Sequence, residues 1–111
     1  QGCACEMTVM GMAEGQHSDG QLIERMGRVI RRDLPNLTLS TEQNAKNWGS
    51  DDVSVMMNRV QAHGGQAAYM RAMADMAGAQ HTVTFDFDEA VLGKSVAVFC
   101  AAAMALMGED A

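Results

Sequence analysis

The run His81-Thr82-Val83-Thr84-Phe85-Asp86-Phe87-Asp88-Glu89 decides how this chain of 111 residues is read. A histidine stands four residues ahead of an alternating aromatic and acidic stretch, and an apolar segment follows at once. A long helix is expected from Asp86 or Asp88 to about Met107. Being apolar on most faces, it is expected to be heavily buried. His81 falls just after a strand and a loop in this reading, which is where α/β proteins place their sites. An imidazole beside carboxylates is a candidate metal ligand, with Asp86 or Asp88 as candidates to orient it. It is a single ligand, however. The chain offers no second cluster able to complete a metal site.

Working upstream, Gln66 to Met73 reads as a strand, with Ala68, Met70 and Ala72 on one face and Ala67, Tyr69 and Arg71 on the other. Before it, Val53, Met56, Met57 and Val60 recur at helical spacing, and His63-Gly64-Gly65 ends that helix. Ser50 is its N-cap candidate, with Asp51 and Asp52 in the first turn. Ser40 to Gly49, with Trp48 inside it, reads as a loop, and Leu37-Thr38-Leu39 as a short strand. Leu22, Ile23, Met26, Val29 and Ile30 form a further helical stripe. Ser18 is expected to cap it, with Gln21 as capping-box partner and Asp19 favouring the dipole. Pro35 stops that helix near Asp33. Cys3 to Met12 alternates like a strand. The expected order is strand-helix-strand-helix-strand-helix, which points to an α/β fold with layered architecture. The first strand has no partner close in sequence, so residues 1–15 are expected to belong to a neighbouring domain.

Composition narrows the function. A chain of this length is one domain at most. Its 48% hydrophobic content argues against disorder. A net charge of −6 disfavours nucleic-acid backbones. Arg25, Arg28, Arg31 and Arg32 share one helix with Glu24 and Asp33, and read as a solvated face. Eleven methionines are spread along the chain and read as core filler. Three cysteines, Cys3, Cys5 and Cys100, make no disulfide framework and are expected as buried thiols in a reducing cytoplasm. The first residues lack a basic region followed by an apolar core, and lack an initiator methionine, so the true start is expected upstream. Val91 to Met107 is interrupted by Gly93, Lys94 and Ser95 and is not expected to span a bilayer. His17 and His63 are accounted for by helix ends. Ser50-Asp51-Asp52 reads first as capping, and second as a carboxylate pair at the exposed positive end of a helix.

Three blocks in order carry a resemblance: Gly49-Ser50-Asp51-Asp52-Val53, then Arg59 to Ala67, then His81 to Glu89. Together they resemble the C-terminal end of a zinc metallopeptidase family of aminoacylases, carboxypeptidases, dipeptidases and N-acyl amino acid amidohydrolases. Within it, they look like the aminobenzoyl-glutamate hydrolase branch. The resemblance implies a phosphorylase/hydrolase-like catalytic domain interrupted by a lid or dimerisation domain. Residues 1–15 would be the last strand of that lid, and residues 16–111 the C-terminal part of the catalytic domain. It implies two metal ions, zinc or manganese, with His81 as one ligand. Ser50, Asp51 and Asp52 would lie near the active site. The remaining ligands and the general base lie in the family's N-terminal half. Gln80 and Val83 depart from the family's usual surroundings of the ligand.

The resulting expectation is a fragment of a metal-dependent amidohydrolase acting on a small-molecule N-acyl amino acid such as aminobenzoyl-glutamate. Its partner would be the N-terminal half, its compartment the cytoplasm and its state a homo-oligomer, with no nucleic-acid or membrane partner. Alone it would be inactive and hold no metal tightly, since zinc takes three or four ligands. The alternative is a non-catalytic, self-associating α/β interaction module.

Overall fold

The computed structural model describes residues 2–41 and 51–108. Helix α1 spans Gly20–Asp33, α2 Val53–Ala62 and α3 Ala90–Met107. Strands β1 (Met76–Ala77) and β2 (Asp86–Phe87) pair antiparallel, with Met76 opposite Phe87 and Ala77 opposite Asp86. The class is mixed α/β. The order is helix, helix, strand, strand, helix, which replaces the alternating order expected from the sequence.

The helices follow their stripes. Leu22, Met26 and Ile30 are the buried side of α1, and Ile30 is only 2% exposed. Gly27 lies on that side too. A Cβ there would stand 3.4 Å from Thr41 and 3.7 Å from Leu39, so the segment after α1 runs back across it. The helix ends as Pro35 demands, with the Leu34 N–H donating to the Ile30 carbonyl at 2.9 Å. Its start differs from expectation. Asp19 is the N-cap, and the Ser18 hydroxyl instead accepts the Tyr69 N–H at 2.9 Å. Helix α2 ends at the expected glycines: Gly64 takes φ +81°, and the Gly65 N–H reaches the Val60 carbonyl at 3.0 Å. Only Ser54 and Met57 of α2 are buried, while Met56 and Val60 are exposed. The capping candidate Ser50, together with Gly49 and Trp48, lies outside the described residues. Asp52 is the N-cap and Asp51 precedes it, so neither lies in the first turn, against expectation; Asp51 Oδ1 accepts the Val53 N–H at 3.3 Å.

Three expected strands are absent. Residues 3–12 and 66–73 are without ladder pairing, as are 37–39. Alternation makes a strand only where a neighbour satisfies its N–H and C=O groups, and among the described residues no ladder forms along 3–12, where Met7 and Met10 are 84% and 95% exposed. The segment from Ala67 to Met70 docks on the start of α1 instead. The Asp19 N–H donates to the Ala67 carbonyl at 2.8 Å, and the Ala67 N–H returns to Asp19 Oδ2 at 2.7 Å. Its alternation survives in the packing, since Ala68 and Met70 both meet the core of Leu22, Met26 and Ala102.

That core is small. Helix α3 packs on α1, and the Arg25 guanidinium donates to the Ala105 carbonyl at 3.2 Å. Ala102 is the one buried residue of α3, against the expectation of a heavily buried helix; Leu92, Val96, Phe99 and Met104 are exposed. By length and composition alone α3 is long and apolar enough to cross a membrane, against the expectation from its interrupted run. All three cysteines are exposed, which corrects the expectation of buried thiols. The accessible surface is 9156 Å², whereas a compact protein of this mass exposes about 6,000 Å². The radius of gyration, 18.4 Å, likewise exceeds the roughly 13 Å of a compact chain of this length. The chain is therefore open, with apolar surface that a compact domain would have covered.

Candidate active-site turn

The turn between β1 and β2 carries His81. Gly78 opens it at φ +84°, and a Cβ there would stand 2.6 Å from the Thr84 carbonyl oxygen. Only glycine permits both the left-handed backbone and that approach. The Thr82 hydroxyl donates to the Ala79 carbonyl at 2.7 Å and lies 3.3 Å from the Thr84 hydroxyl. The Phe85 N–H closes the turn on the Thr82 carbonyl at 3.1 Å. Within this clip His81 adopts φ +63°, the only non-glycine positive φ among the described residues. Its side chain is exposed. Histidine tolerates this region better than most residues, and its occurrence at an exposed tip is an outlier of the kind found where function holds a backbone in place.

The neighbouring carboxylates serve the backbone. Asp86 Oδ1 accepts the Phe87 N–H at 2.9 Å. Asp88, one residue before the N-cap Glu89 of α3, accepts the Ala90 N–H on its Oδ1 at 2.9 Å. The Asp88 N–H in turn meets the Asp75 carbonyl at 3.0 Å. Asp75, Asp86 and Asp88 line one shallow, open depression with Met76 and Phe87. Among the described residues no hydrogen bond joins Asp86 or Asp88 to the His81 ring, and no group of three or more His, Cys, Asp or Glu side chains converges on one point. Helix α2, whose start carries Asp51 and Asp52, packs on neither strand.

A second polar junction went unread in the sequence. Gln61 of α2 donates to the His17 carbonyl at 2.9 Å and to Asp19 Oδ2 at 2.8 Å. Asn58 reaches Glu14 Oε2 at 2.6 Å and the Gly15 carbonyl at 3.1 Å. The bond from Gln61 foremost, then the Ala67 N–H and the charge of His17, hold the Asp19 carboxyl below the usual carboxylate range. No periodicity announces such a clamp, because its partners are more than forty residues apart. The His63 ring is occupied separately, with its Nδ1–H donating to the Arg59 carbonyl at 2.8 Å.

Comparison with known proteins finds hydrolases similar to this chain. Over 95 residues, 86% of the chain, it is 30% identical to the indole-3-acetyl-aspartic acid hydrolase of Enterobacter agglomerans. Over 96 residues, again 86% of the chain, it is 32% identical to a Haemophilus influenzae homolog of one p-aminobenzoyl-glutamate hydrolase subunit. A stretch of 48 residues, 43% of the chain, is 48% identical to the corresponding p-aminobenzoyl-glutamate hydrolase subunit of Escherichia coli K12. Over most of its length the chain is thus similar to part of each of two hydrolases. It spans 22% of the length of the Enterobacter and Haemophilus relatives. No family profile and no solved structure matches it.

Proposed function

We propose that this chain is the C-terminal part of a metal-dependent amidohydrolase that cleaves the amide bond of an N-acyl amino acid, with aminobenzoyl-glutamate or an indole-acetyl-aspartate as the substrate class. The observation that carries the reading is the similarity over 86% of the chain to hydrolases named for two such compounds. The open surface agrees with it, since a piece spanning about a fifth of its relatives would leave its inner faces uncovered. Residues 1–15 would supply the final strand of a lid domain, which accounts for an alternating segment without a ladder. Residues 16–111 would complete a layered catalytic domain.

His81 fits one place in the coordination sphere of zinc or manganese. It is exposed, stands in a hydrogen-bonded turn and can offer a neutral imidazole nitrogen. The other ligands, and a glutamate able to shuttle the proton, would come from the N-terminal half. Metal ions bound there would activate water and polarise the scissile carbonyl. The chain's own part is to hold the His81 ring in place from one side. Asp86 and Asp88 would hold the surrounding backbone through the amides they accept, and Asp51 and Asp52 would lie in the active-site vicinity with Ser50.

The test is a protein of the relatives' length that carries this sequence. It is expected to hydrolyse p-aminobenzoyl-glutamate or indole-3-acetyl-aspartate, to lose activity with a chelator, and to lose bound metal in His81→Ala. The isolated chain is expected to be inactive and to gain activity when the N-terminal half is added. Stoichiometric zinc held tightly by the isolated chain, or no amide hydrolysis by the longer protein, would refute the reading. In the second case the exposed apolar faces would favour the self-associating interaction module.

A further inference from the structure

We propose that Thr82 is a positioning residue for His81. The inference rests on reading His81 as a metal ligand, and goes beyond it by naming what holds that ligand. The left-handed backbone of His81 is unfavourable for an L side chain, so neighbouring contacts must impose it. The turn supplies two. The Thr82 hydroxyl ties the strand-side carbonyl of Ala79 across His81 at 2.7 Å, and the Thr82 carbonyl accepts the Phe85 N–H at 3.1 Å. Thr82 thereby bridges both limbs of the turn, one through its side chain and one through its backbone. Gly78 makes the bridge possible by letting the Thr84 carbonyl pass where a Cβ would collide. The ring of His81 makes no hydrogen bond among the described residues, so nothing on the ring itself fixes its direction. Its aim is set through the backbone. This places in Thr82 the task that a hydrogen-bonded carboxylate performs for many metal-bound histidines.

Two variants separate the role from simple folding. Thr82→Val keeps the shape and removes the hydroxyl donor; Thr82→Ser keeps the donor and removes the methyl. In the isolated chain, backbone NMR shifts at His81 are expected to leave the left-handed range in Thr82→Val and to stay there in Thr82→Ser. In the longer protein, zinc affinity measured against a chromophoric chelator is expected to fall about ten-fold in Thr82→Val, the scale of losses seen for groups that orient ligands, and to recover in Thr82→Ser. Wild-type affinity in Thr82→Val, with affinity lost in His81→Ala, would overturn the positioning role. Wild-type affinity in both Thr82→Val and His81→Ala would overturn the ligand reading itself. Unchanged His81 shifts in Thr82→Val would also overturn the positioning role.

Discussion

Phe99 offers a direct measure of whether the open face of α3 is a covered face elsewhere. It is 63% exposed in this chain. An aromatic side chain presents roughly 200 Å², so about 130 Å² remains open to water. Covering that area contributes about 3 kcal/mol at 25 cal/mol per Å². Phe99→Ala should therefore cost about 3 kcal/mol more in a protein of the relatives' length than in the isolated chain. The difference between two contexts is firmer than either absolute value, because the unfolded reference largely cancels. Urea unfolding of both proteins, wild type and variant, gives the two penalties. If they agree within about 0.5 kcal/mol, nothing covers Phe99 in the longer protein. The step from surplus surface to a missing neighbour then fails.

Three further outcomes follow from the described geometry. Ile30→Ala, at the most enclosed apolar position, should lose about 2–4 kcal/mol and melt α1 in the isolated chain, as read by far-UV circular dichroism; retention of full helicity and midpoint would contradict the small core. Gly64→Ala should destabilise by about 1 kcal/mol through its backbone alone, since a Cβ there meets nothing within 4 Å, and Gly64→Asn should cost less in the same denaturation series. Asp19 has a carboxyl pKa below the usual range when folded, so its contribution is present above the ordinary carboxylate pKa and is lost as pH falls through the folded value. Asp19→Asn should accordingly flatten the acid side of the stability profile, and an unchanged acid side would remove the clamp with Gln61 and Ala67.

Much of the helical content was legible, because a buried face repeats at a spacing the residues themselves display. Leu22, Met26 and Ile30 announced α1, and His63-Gly64-Gly65 announced the end of α2. The strands were not legible in the same way. Cys3 to Met12 alternates well, yet alternation records only which side chains share a face. The hydrogen bonds that make a ladder must come from a neighbour, and that neighbour is not encoded within the segment. The only ladder among the described residues, Met76–Ala77 with Asp86–Phe87, is two residues long and too short to show a period. His81 stood out through its carboxylate surroundings. The structure gives those carboxylates to backbone amides, and leaves the histidine held by Gly78 and Thr82, whose roles depend on dihedral angles and a cross-turn hydroxyl bond.

The bond from Arg25 to Ala105 ties together events at the two ends of the chain's order. Helix α3 carries no basic residue in its last turn, so its terminal carbonyls lack the usual local counter-charge. A guanidinium from α1 supplies it from across the interface. Unwinding at the tail of α3 therefore releases a cation that α1 holds half out of water, and slippage of α1 along its axis strips the tail of α3 of its donor. The two helices should fray as one unit, so that amide exchange near Ala105 tracks exchange around Arg25 rather than that of the nearer residues at the head of α3.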